Sequence, residues 1–306
     1  MRSLLGSKKN VSLQLRLNDL MSISTTDLPP ARIGVLGGAR LRFTHAPGVG
    51  TRLAEQWVRP PLHLGKSYHE DAWEISILMS PTAGLLDKDL LEVEATVAAG
   101  ANAALISPAA CRVHTMDAGY ATVRQHYIVE SRAVLDVWPA PLILQKDASI
   151  RQFTRLDVAA DATVLLCELV SPGRAAFGEA FEFSQWNSQL RIYREGSLLA
   201  YENFCCQPKH GDVADWRALY PCGSYASFYF LSPEPLGDII QIIHDLETPD
   251  AIIGASPLRE GGLGIKILAR DGISLRKTIF LVRNLLIYKS KIDFPQALHR
   301  AQTYFN

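Results

Sequence analysis

The chain has 306 residues, of which 48% are hydrophobic and 20% charged, so it can bury a sizeable core in one or two domains. Its 31 basic and 31 acidic residues cancel, which argues against a nucleic-acid-binding protein, because such proteins normally show a basic excess. No apolar run approaches the roughly 18–20 residues that span a bilayer.

The five cysteines also bear on the cellular compartment. They stand at Cys111, Cys167, Cys205, Cys206 and Cys222, an odd number without regular spacing. This pattern argues against a disulfide framework and for a reducing compartment. The absence of Cys-x-x-Cys removes sequence support for a structural zinc site. Since the first residues also lack the continuous apolar stretch of a secretory signal, we expect a cytoplasmic protein.

In chain order, residues 1–30 are poorly patterned and are interpreted as an N-terminal extension, and residues 31–306 are interpreted as a single β-rich domain. Period-two alternation of apolar and polar residues predicts half-buried strands in the first two-thirds of the chain. Turns rich in glycine and proline separate them. The predicted strands are Ala39–Thr44, Glu74–Met79, Leu91–Val97, Ala121–Val129 and Phe153–Val158.

A repeat underlies these strands. Three segments align on a small residue followed by an apolar strand, and their aligned alanines are Ala101, Ala133 and Ala162. The steps are 32 and 29 residues, and a looser fourth copy aligns on Gly196. A period of about 30 built from strands favours stacked β-layers, because one unit cannot cover its own apolar face. Four ordinary antiparallel hairpins in a sandwich are the alternative.

The pattern becomes helical after Pro221. Leu236, Ile239, Ile243 and Leu246 recur at helical spacing, with Ser232-Pro233 as the expected start of that helix. A second helix is predicted from Ser274 to about Lys289. The predicted fold class is therefore mainly β, a helical stack of β-strands resembling a β-solenoid, with two α-helices near the C-terminus.

Two motifs give weak chemical signals. The glycines of Gly261–Gly264 lack the spacing of a dinucleotide-binding loop or a P-loop, so a tight hairpin turn is predicted instead. Cys111 and His114 could both bind a metal, but residues three apart on a strand face opposite sides. A mononuclear site there would require the chain to turn between them.

The acids on the repeat strands are more informative. Glu168 interrupts the apolar run Leu165–Val170, where a carboxylate is costly unless it is paired, hydrated or metal-bound. One interpretation pairs Glu168 with Arg174 or Arg191. The other is a polar path through the β core, in which Asp136, Glu168 and Glu202 could pass a divalent cation.

The order of several motifs resembles the UreD (UreH) family of urease accessory proteins. The resemblance covers about residues 39–202 and is looser beyond them. The motifs that carry it are Arg59-Pro60, Pro81–Asp89, Gly100–Pro108, Leu135–Pro139 and Gly173–Phe181.

This resemblance implies a non-enzymatic scaffold, required for nickel insertion, that bridges apo-urease to the accessory proteins UreF and UreG. It further implies a dimeric state within that complex, no tightly bound cofactor, and Ni²⁺ in transit through an internal channel. The family's polar channel positions fall on Asp89, Asp136, Glu168 and Glu202.

The chain departs from the family pattern in three places that bear on the channel lining. Asp87 and Lys88 replace the glycines before the loop aspartate, Pro139–Pro141 lacks a following acid, and Arg112–His114 replaces Lys-x-Tyr. A β-rich binding module without a metal role is the alternative function. A hydrolase using paired carboxylates is the third class, and nothing in the sequence places two acids around a cleft.

Overall fold

Alternating apolar and polar residues build two stacked β-sheets, whose strands we describe from a computed structural model of residues 34–117, 119–139 and 141–301. The extension predicted at residues 1–30 lies outside the described residues. The strands are β1 (Leu36–Ala46), β2 (Gly50–Arg59), β3 (His63–Leu64), β4 (Tyr68–Glu70), β5 (Trp73–Met79), β6 (Leu90–Val97), β7 (Asn102–Ile106), β8 (Cys111–Val113), β9 (Ala121–Val129), β10 (Val134–Trp138), β11 (Leu142–Leu144), β12 (Ser149–Val158), β13 (Thr163–Ser171), β14 (Gln185–Arg194), β15 (Ser197–Cys206), β16 (Ser224–Leu231), β17 (Ala251–Pro257) and β18 (Leu263–Ala269).

The repeat forms successive turns of a β-stack. In each turn the chain passes from one sheet to the other, through β6 and β7, then β9 and β10, then β12 and β13. The three aligned alanines lie just before the second strand of each turn and are buried. The Val134 amide donates to the Ala101 carbonyl at 2.9 Å, and the Thr163 amide donates to the Ala133 carbonyl at 2.9 Å. The predicted layered arrangement is therefore confirmed.

The two sheets combine this parallel stacking with antiparallel ends. The seven-stranded sheet has the order β15-β14-β12-β9-β6-β1-β2, with parallel pairing from β14 to β1. The eleven-stranded sheet runs β17-β18-β16-β13-β10-β7-β5-β3, with β4, β8 and β11 beside this path. The antiparallel strands β16 to β18 extend it beyond the last turn of the stack.

The fourth copy of the repeat was predicted incorrectly. Gly196 lies in the turn between β14 and β15, which pair antiparallel within the seven-stranded sheet. The chain therefore reverses at this point instead of crossing to the other sheet. Glu195 and Gly196 both have positive φ angles, of 47° and 76°, which is typical of a tight hairpin turn.

Four α-helices are described: α1 (Ala214–Leu219), α2 (Ile239–His244), α3 (Gly272–Ser290) and α4 (Gln296–Ala301). The long helix predicted at Ser274–Lys289 is confirmed as α3, where the Asp271 side chain caps the amide of Ser274 at 2.7 Å. The start predicted at Ser232-Pro233 is wrong. Pro235 and the left-handed Gly237, with φ 55°, delay α2 to Ile239. Among the residues described, no helix combines the length and apolarity needed to cross a bilayer.

Apolar clusters occupy both faces of the eleven-stranded sheet. On the outer face, Ile279, Val282 and Leu286 of α3 pack with residues of the sheet such as Phe228 and Ile265. In the space between the sheets there are two separate clusters. One contains Val164, Leu166, Leu156 and Ile192, and the other contains Val170, Ile150, Leu144 and Trp186.

Candidate functional site

Polar side chains separate the two inter-sheet clusters. On β13, Glu168 stands between Leu166 of one cluster and Val170 of the other. On β14, Ser188 likewise stands between Leu190 and Trp186. Because side chains two residues apart share a face of a strand, these polar groups point into the space between the sheets.

The centre of this polar layer is the carboxylate of Glu168. Its Oε1 accepts a hydrogen bond of 2.8 Å from Thr154 Oγ1, and its Oε2 accepts one of 3.3 Å from Ser188 Oγ. Both hydroxyls come from the opposite sheet, on β12 and β14. Thr154 Oγ1 also lies 3.2 Å from Oε1 of Gln125 on β9. The layer thus brings together four side chains with three kinds of oxygen group: a carboxylate, two hydroxyls and an amide.

One end of the layer reaches solvent. The Lys266 ammonium donates to Glu202 Oε2 at 2.5 Å, to Tyr229 Oη at 2.8 Å and to Ser227 Oγ. Ser227 pairs in register with both Glu168 and Lys266, so the two charged residues lie along one row of the sheet. The side chains of Lys266 and Glu202 are 35% and 38% exposed, which makes this pair the mouth of the layer.

The other end meets a cavity between the sheets. This cavity has a volume of about 130 Å³. Its lining includes Gln125 and Tyr127 together with apolar side chains such as Val93, Leu105 and Val137. Gln125 therefore connects the cavity to the Thr154–Glu168 hydrogen bonds.

Burial shifts the pKa values of the titratable groups in the layer. It raises the pKa of Glu168, while the Thr154 hydrogen bond, the charge of Lys266 and the Ser188 hydrogen bond act in the opposite direction. Burial, and then the charge of Glu168, raises the pKa of the Tyr127 phenol. Burial, and then the charge of Glu202, also raises the pKa of the Tyr229 phenol.

Asp136 lies on the opposite face of its sheet from Glu168. It is 2% exposed and forms an ion pair with Arg283 of α3, which is 1% exposed. Arg283 also lies against the rings of Trp138 and Phe294. This ion pair joins the long helix to the stack and stays apart from the inter-sheet layer.

One interpretation of the sequence predicted that Arg174 or Arg191 pairs with Glu168, but both arginines have other partners in the structure. Arg174 makes a two-point contact with Glu179, at 2.8 and 2.5 Å. Arg191 lies over the ring of Tyr201. That pairing prediction is wrong. The sequence signal that was missed is Arg283, a charged residue between Val282 and Leu286 in the apolar stripe of a helix, where a buried acid is the expected partner.

Asp89 stabilises a loop. Its carboxylate accepts from the amide of Val35 at 2.7 Å and from the amide of Leu86 at 2.8 Å. It therefore holds the segment before β6 against the start of β1. Of the four predicted metal-path residues, the structure brings Glu168 and Glu202 to the same inter-sheet layer, and places Asp89 and Asp136 elsewhere.

The Gly173–Phe181 motif is a folded loop. A Cβ on Gly173 would lie 2.1 Å from the carbonyl oxygen of Glu179, so only glycine allows this close approach at its φ of 148°. The Arg174–Glu179 contact ties the loop across its width. The motif is thus explained by backbone packing and an ion pair.

The described part of the chain contains no group of three or more His, Cys, Asp and Glu side chains that could hold a metal ion. His114 Nε2 lies 2.9 Å from the Ala83 carbonyl oxygen. Burial, and then the charge of Asp89, raises the pKa of the Cys111 thiol to about 11. All five cysteines are free thiols.

The family model and the similar proteins found by comparison all belong to the urease accessory proteins UreD and UreH. The family model described as UreD urease accessory protein matches residues 36–301. A urease accessory protein UreD from Opitutus terrae is 35% identical over 245 residues, covering 77% of this chain and 88% of the relative. A urease accessory protein UreD from Natronomonas pharaonis is 28% identical over 225 residues, covering 71% and 75%. A urease accessory protein UreH from Helicobacter hepaticus is 31% identical over 156 residues, covering 51% and 62%.

Proposed function

Since this chain belongs to the UreD family of urease accessory proteins, which act in urease maturation, we propose that it is a non-catalytic scaffold for nickel insertion into apo-urease. In this proposal the chain works in the cytoplasm. It bridges the urease apoprotein to UreF, and through UreF to UreG, as a dimer within that complex. Ni²⁺ is cargo that passes through the interior of the stack.

The observation that supports this proposal is the inter-sheet layer around Glu168. Glu168 is partly buried between the sheets, and its carboxylate contacts the neutral hydroxyls of Thr154 and Ser188 instead of forming an ion pair with a described basic residue. A divalent cation in transit needs oxygen or nitrogen ligands that replace part of its water shell. The layer supplies a carboxylate, hydroxyls and the amide oxygen of Gln125.

The oxygen ligands of the Glu168 layer also suit the passage of Ni²⁺ better than its tight binding. Conduction requires sites that bind strongly enough for an ion to enter and weakly enough for it to leave. Imidazole and thiolate groups, which hold nickel more firmly than oxygen ligands do, are not among the residues that hydrogen-bond to Glu168. At the mouth, the ammonium of Lys266 pairs with Glu202. Its positive charge repels Ni²⁺ and therefore weakens binding of the ion at that point.

A second surface suits the UreF contact. The outward side of α3 exposes Ile273, Leu281 and Tyr288, while the inward side packs on the sheet. Exposed large apolar groups in a row along one helix are typical of a protein-binding surface. We assign UreF to this side of the molecule.

The proposal is tested by reconstituting urease activation. The chain is purified with UreF and UreG, mixed with apo-urease and Ni²⁺, and the nickel content and activity of the urease are measured with the chain present or omitted. We expect nickel loading to depend on the chain. Binding of the chain to UreF and apo-urease without any effect on nickel loading would favour the alternative, a binding module without a metal role.

A further inference from the structure

The outer face of the seven-stranded sheet carries a shallow groove of about 640 Å³. One register row crosses all seven strands on this face, because each member pairs with the next. This row, which we call the arginine row, consists of Trp57, Arg40, Glu94, His126, Arg155, Arg191 and Tyr201.

Aromatic rings close the row at both ends. Trp57 is 48% exposed and Tyr201 is 50% exposed. The guanidinium of Arg40 lies 5.3 Å from the centre of the Trp57 ring, and that of Arg191 lies 5.6 Å from the centre of the Tyr201 ring. Stacking on a ring holds an arginine in place while leaving its N–H groups available to a carboxylate.

The two outer arginines have no carboxylate partner among the described residues. Arg155, which lies between them in the row, is already neutralised by Asp157, at 2.7 and 2.9 Å. Arg40 and Arg191 form no such ion pair with any described acid. They are therefore the charges that a ligand could use.

The groove is positive although the chain is neutral. Its lining contains five arginines and two glutamates, and Asp157 neutralises one of these arginines, so an excess of two positive charges remains with histidine neutral. The whole chain has 31 basic and 31 acidic residues. Exposed arginine and aromatic side chains together are typical of the contact residues of protein interfaces.

The charge of the groove indicates which segment could bind in it. Residues 1–33 of this chain carry five basic and two acidic side chains. Their net charge is positive, like that of the groove, so the charges of this segment and the groove repel each other. An acidic surface complements the groove. The groove also lies on the outer face of one sheet, whereas α3 covers the outer face of the other. A bridging scaffold needs two such separate faces.

We propose that the arginine row binds an acidic segment of apo-urease. This inference rests on the proposed function, and it adds the surface and the chemistry of the partner. Arg40 and Arg191 make charge-assisted hydrogen bonds to carboxylates of the segment, and Phe153, which is exposed beside the row, contacts its apolar atoms.

The first test measures affinity. The complex of the full chain with UreF is titrated with apo-urease at several NaCl concentrations, using wild type, Arg40→Glu/Arg191→Glu, and Arg259→Glu as a control with an exposed arginine outside the row. We expect the double variant to bind about tenfold more weakly or worse, with a smaller salt dependence, and the control to match wild type. Arg40→Gln/Arg191→Gln should fall between them. Equal affinity for all variants, or equal loss in the control, overturns the proposal.

The second test identifies the occupant. Phe153 is replaced by the photo-crosslinking residue p-benzoylphenylalanine, with the exposed Phe177 as the control position. An adduct between position 153 and an acidic peptide of a urease subunit is expected. An adduct with residues 1–33, with a second copy of the chain or with a basic peptide overturns the proposal, as does the absence of any adduct.

The two proposals can fail separately. If wild type loads urease with nickel but the double variant binds as wild type does, the groove assignment is wrong and the scaffold function stands. If wild type with UreF fails to bind apo-urease at all, both are wrong.

Discussion

Asp136 and Glu168 lie on adjacent parallel strands of one sheet, but their carboxylates point to opposite faces. Asp136 pairs in register with Leu165, three residues before Glu168, and an odd offset along a strand reverses the face. Asp136 therefore meets Arg283 of α3, and Glu168 meets Thr154 of the other sheet. Two acids that look equivalent in the repeat have different surroundings, and different consequences follow when each is changed.

The Asp136–Arg283 pair is expected to hold α3 on the stack. Asp136→Asn leaves the buried guanidinium without its counter-charge, so the free energy of unfolding should fall by ~3–5 kcal/mol. Urea denaturation of the purified chain, or of its UreF complex, measures this change.

Two controls make this first prediction specific. Asp157→Asn weakens the contacts of this side chain with the partly exposed Arg155 and His126 and should cost about 0–1 kcal/mol. Asp136→Leu/Arg283→Met removes both charges and should recover most of the lost stability. A change as small for Asp136→Asn as for Asp157→Asn would contradict the role of the buried pair.

Much of the fold could be predicted because its signals are local or periodic. Alternation locates β6, β9 and β12, and the small residues at Ala101, Ala133 and Ala162 locate the turns of the stack. The sequence could not exclude Gly196 as part of a fourth repeat, because a hairpin and a turn of the stack both place a small residue before an apolar strand. Only the pairing of β14 with β15 distinguishes them.

Ala133 is a test of the stack geometry. It is buried where the chain turns from β9 to β10, and its carbonyl accepts the Thr163 amide. Ala133→Val should overpack this turn and destabilise the chain by ~1–3 kcal/mol. Ala99→Val, at an exposed alanine one turn earlier, should change stability by less than about 0.5 kcal/mol. Equal melting temperatures for the two variants would contradict the tight turn.

The stability of the Glu168 layer should depend on pH with a defined sign. Burial raises the pKa of Glu168 in the folded state above its unfolded value of about 4.3. The stabilising contribution is therefore present below that unfolded value and is lost as the pH rises through the folded pKa. Glu168→Gln has no such loss, so its stability relative to wild type should increase between about pH 4.3 and the folded pKa, and then level off.

Denaturant unfolding at a series of pH values measures this difference. Glu202→Gln is the matched control, since Glu202 is a half-exposed member of the same layer. A stability difference for Glu168→Gln that stays constant or shrinks with rising pH would be inconsistent with the raised pKa.

The candidate site was less predictable than the fold. The interruption of an apolar run identified Glu168, but its partners Thr154 and Ser188 are ordinary strand residues about 14 and 20 positions away. The Asp89 carboxylate is used by the backbone amides of Val35 and Leu86, which sequence patterns do not reveal. Which acids share a layer depends on the register between sheets, and no local pattern encodes it.

The exposed side of α3 is expected to bind UreF. Leu281→Glu and Tyr288→Glu place charges among exposed apolar groups, so each should weaken the UreF complex by about tenfold or more without lowering the melting temperature. Calorimetric titration with UreF measures the affinity. Leu219→Glu, at an exposed leucine of α1, is the control and should bind normally. Normal binding by both α3 variants would move the UreF contact elsewhere.

Finally, Glu168→Leu and Glu202→Leu test the nickel path itself. Thr154 retains a partner in Gln125 after Glu168→Leu, and Lys266 is partly exposed after Glu202→Leu, so neither variant should lose much stability. An apolar plug supplies no ligand to a divalent ion. We therefore expect both variants to bind UreF and apo-urease normally, while the nickel content of the urease falls severalfold. Asp215→Leu, at an exposed acid of α1 outside both the layer and the groove, should load nickel as wild type does. Normal loading by the two layer variants would exclude the Glu168 layer as the route, whereas loss of both folding and binding would make these residues structural.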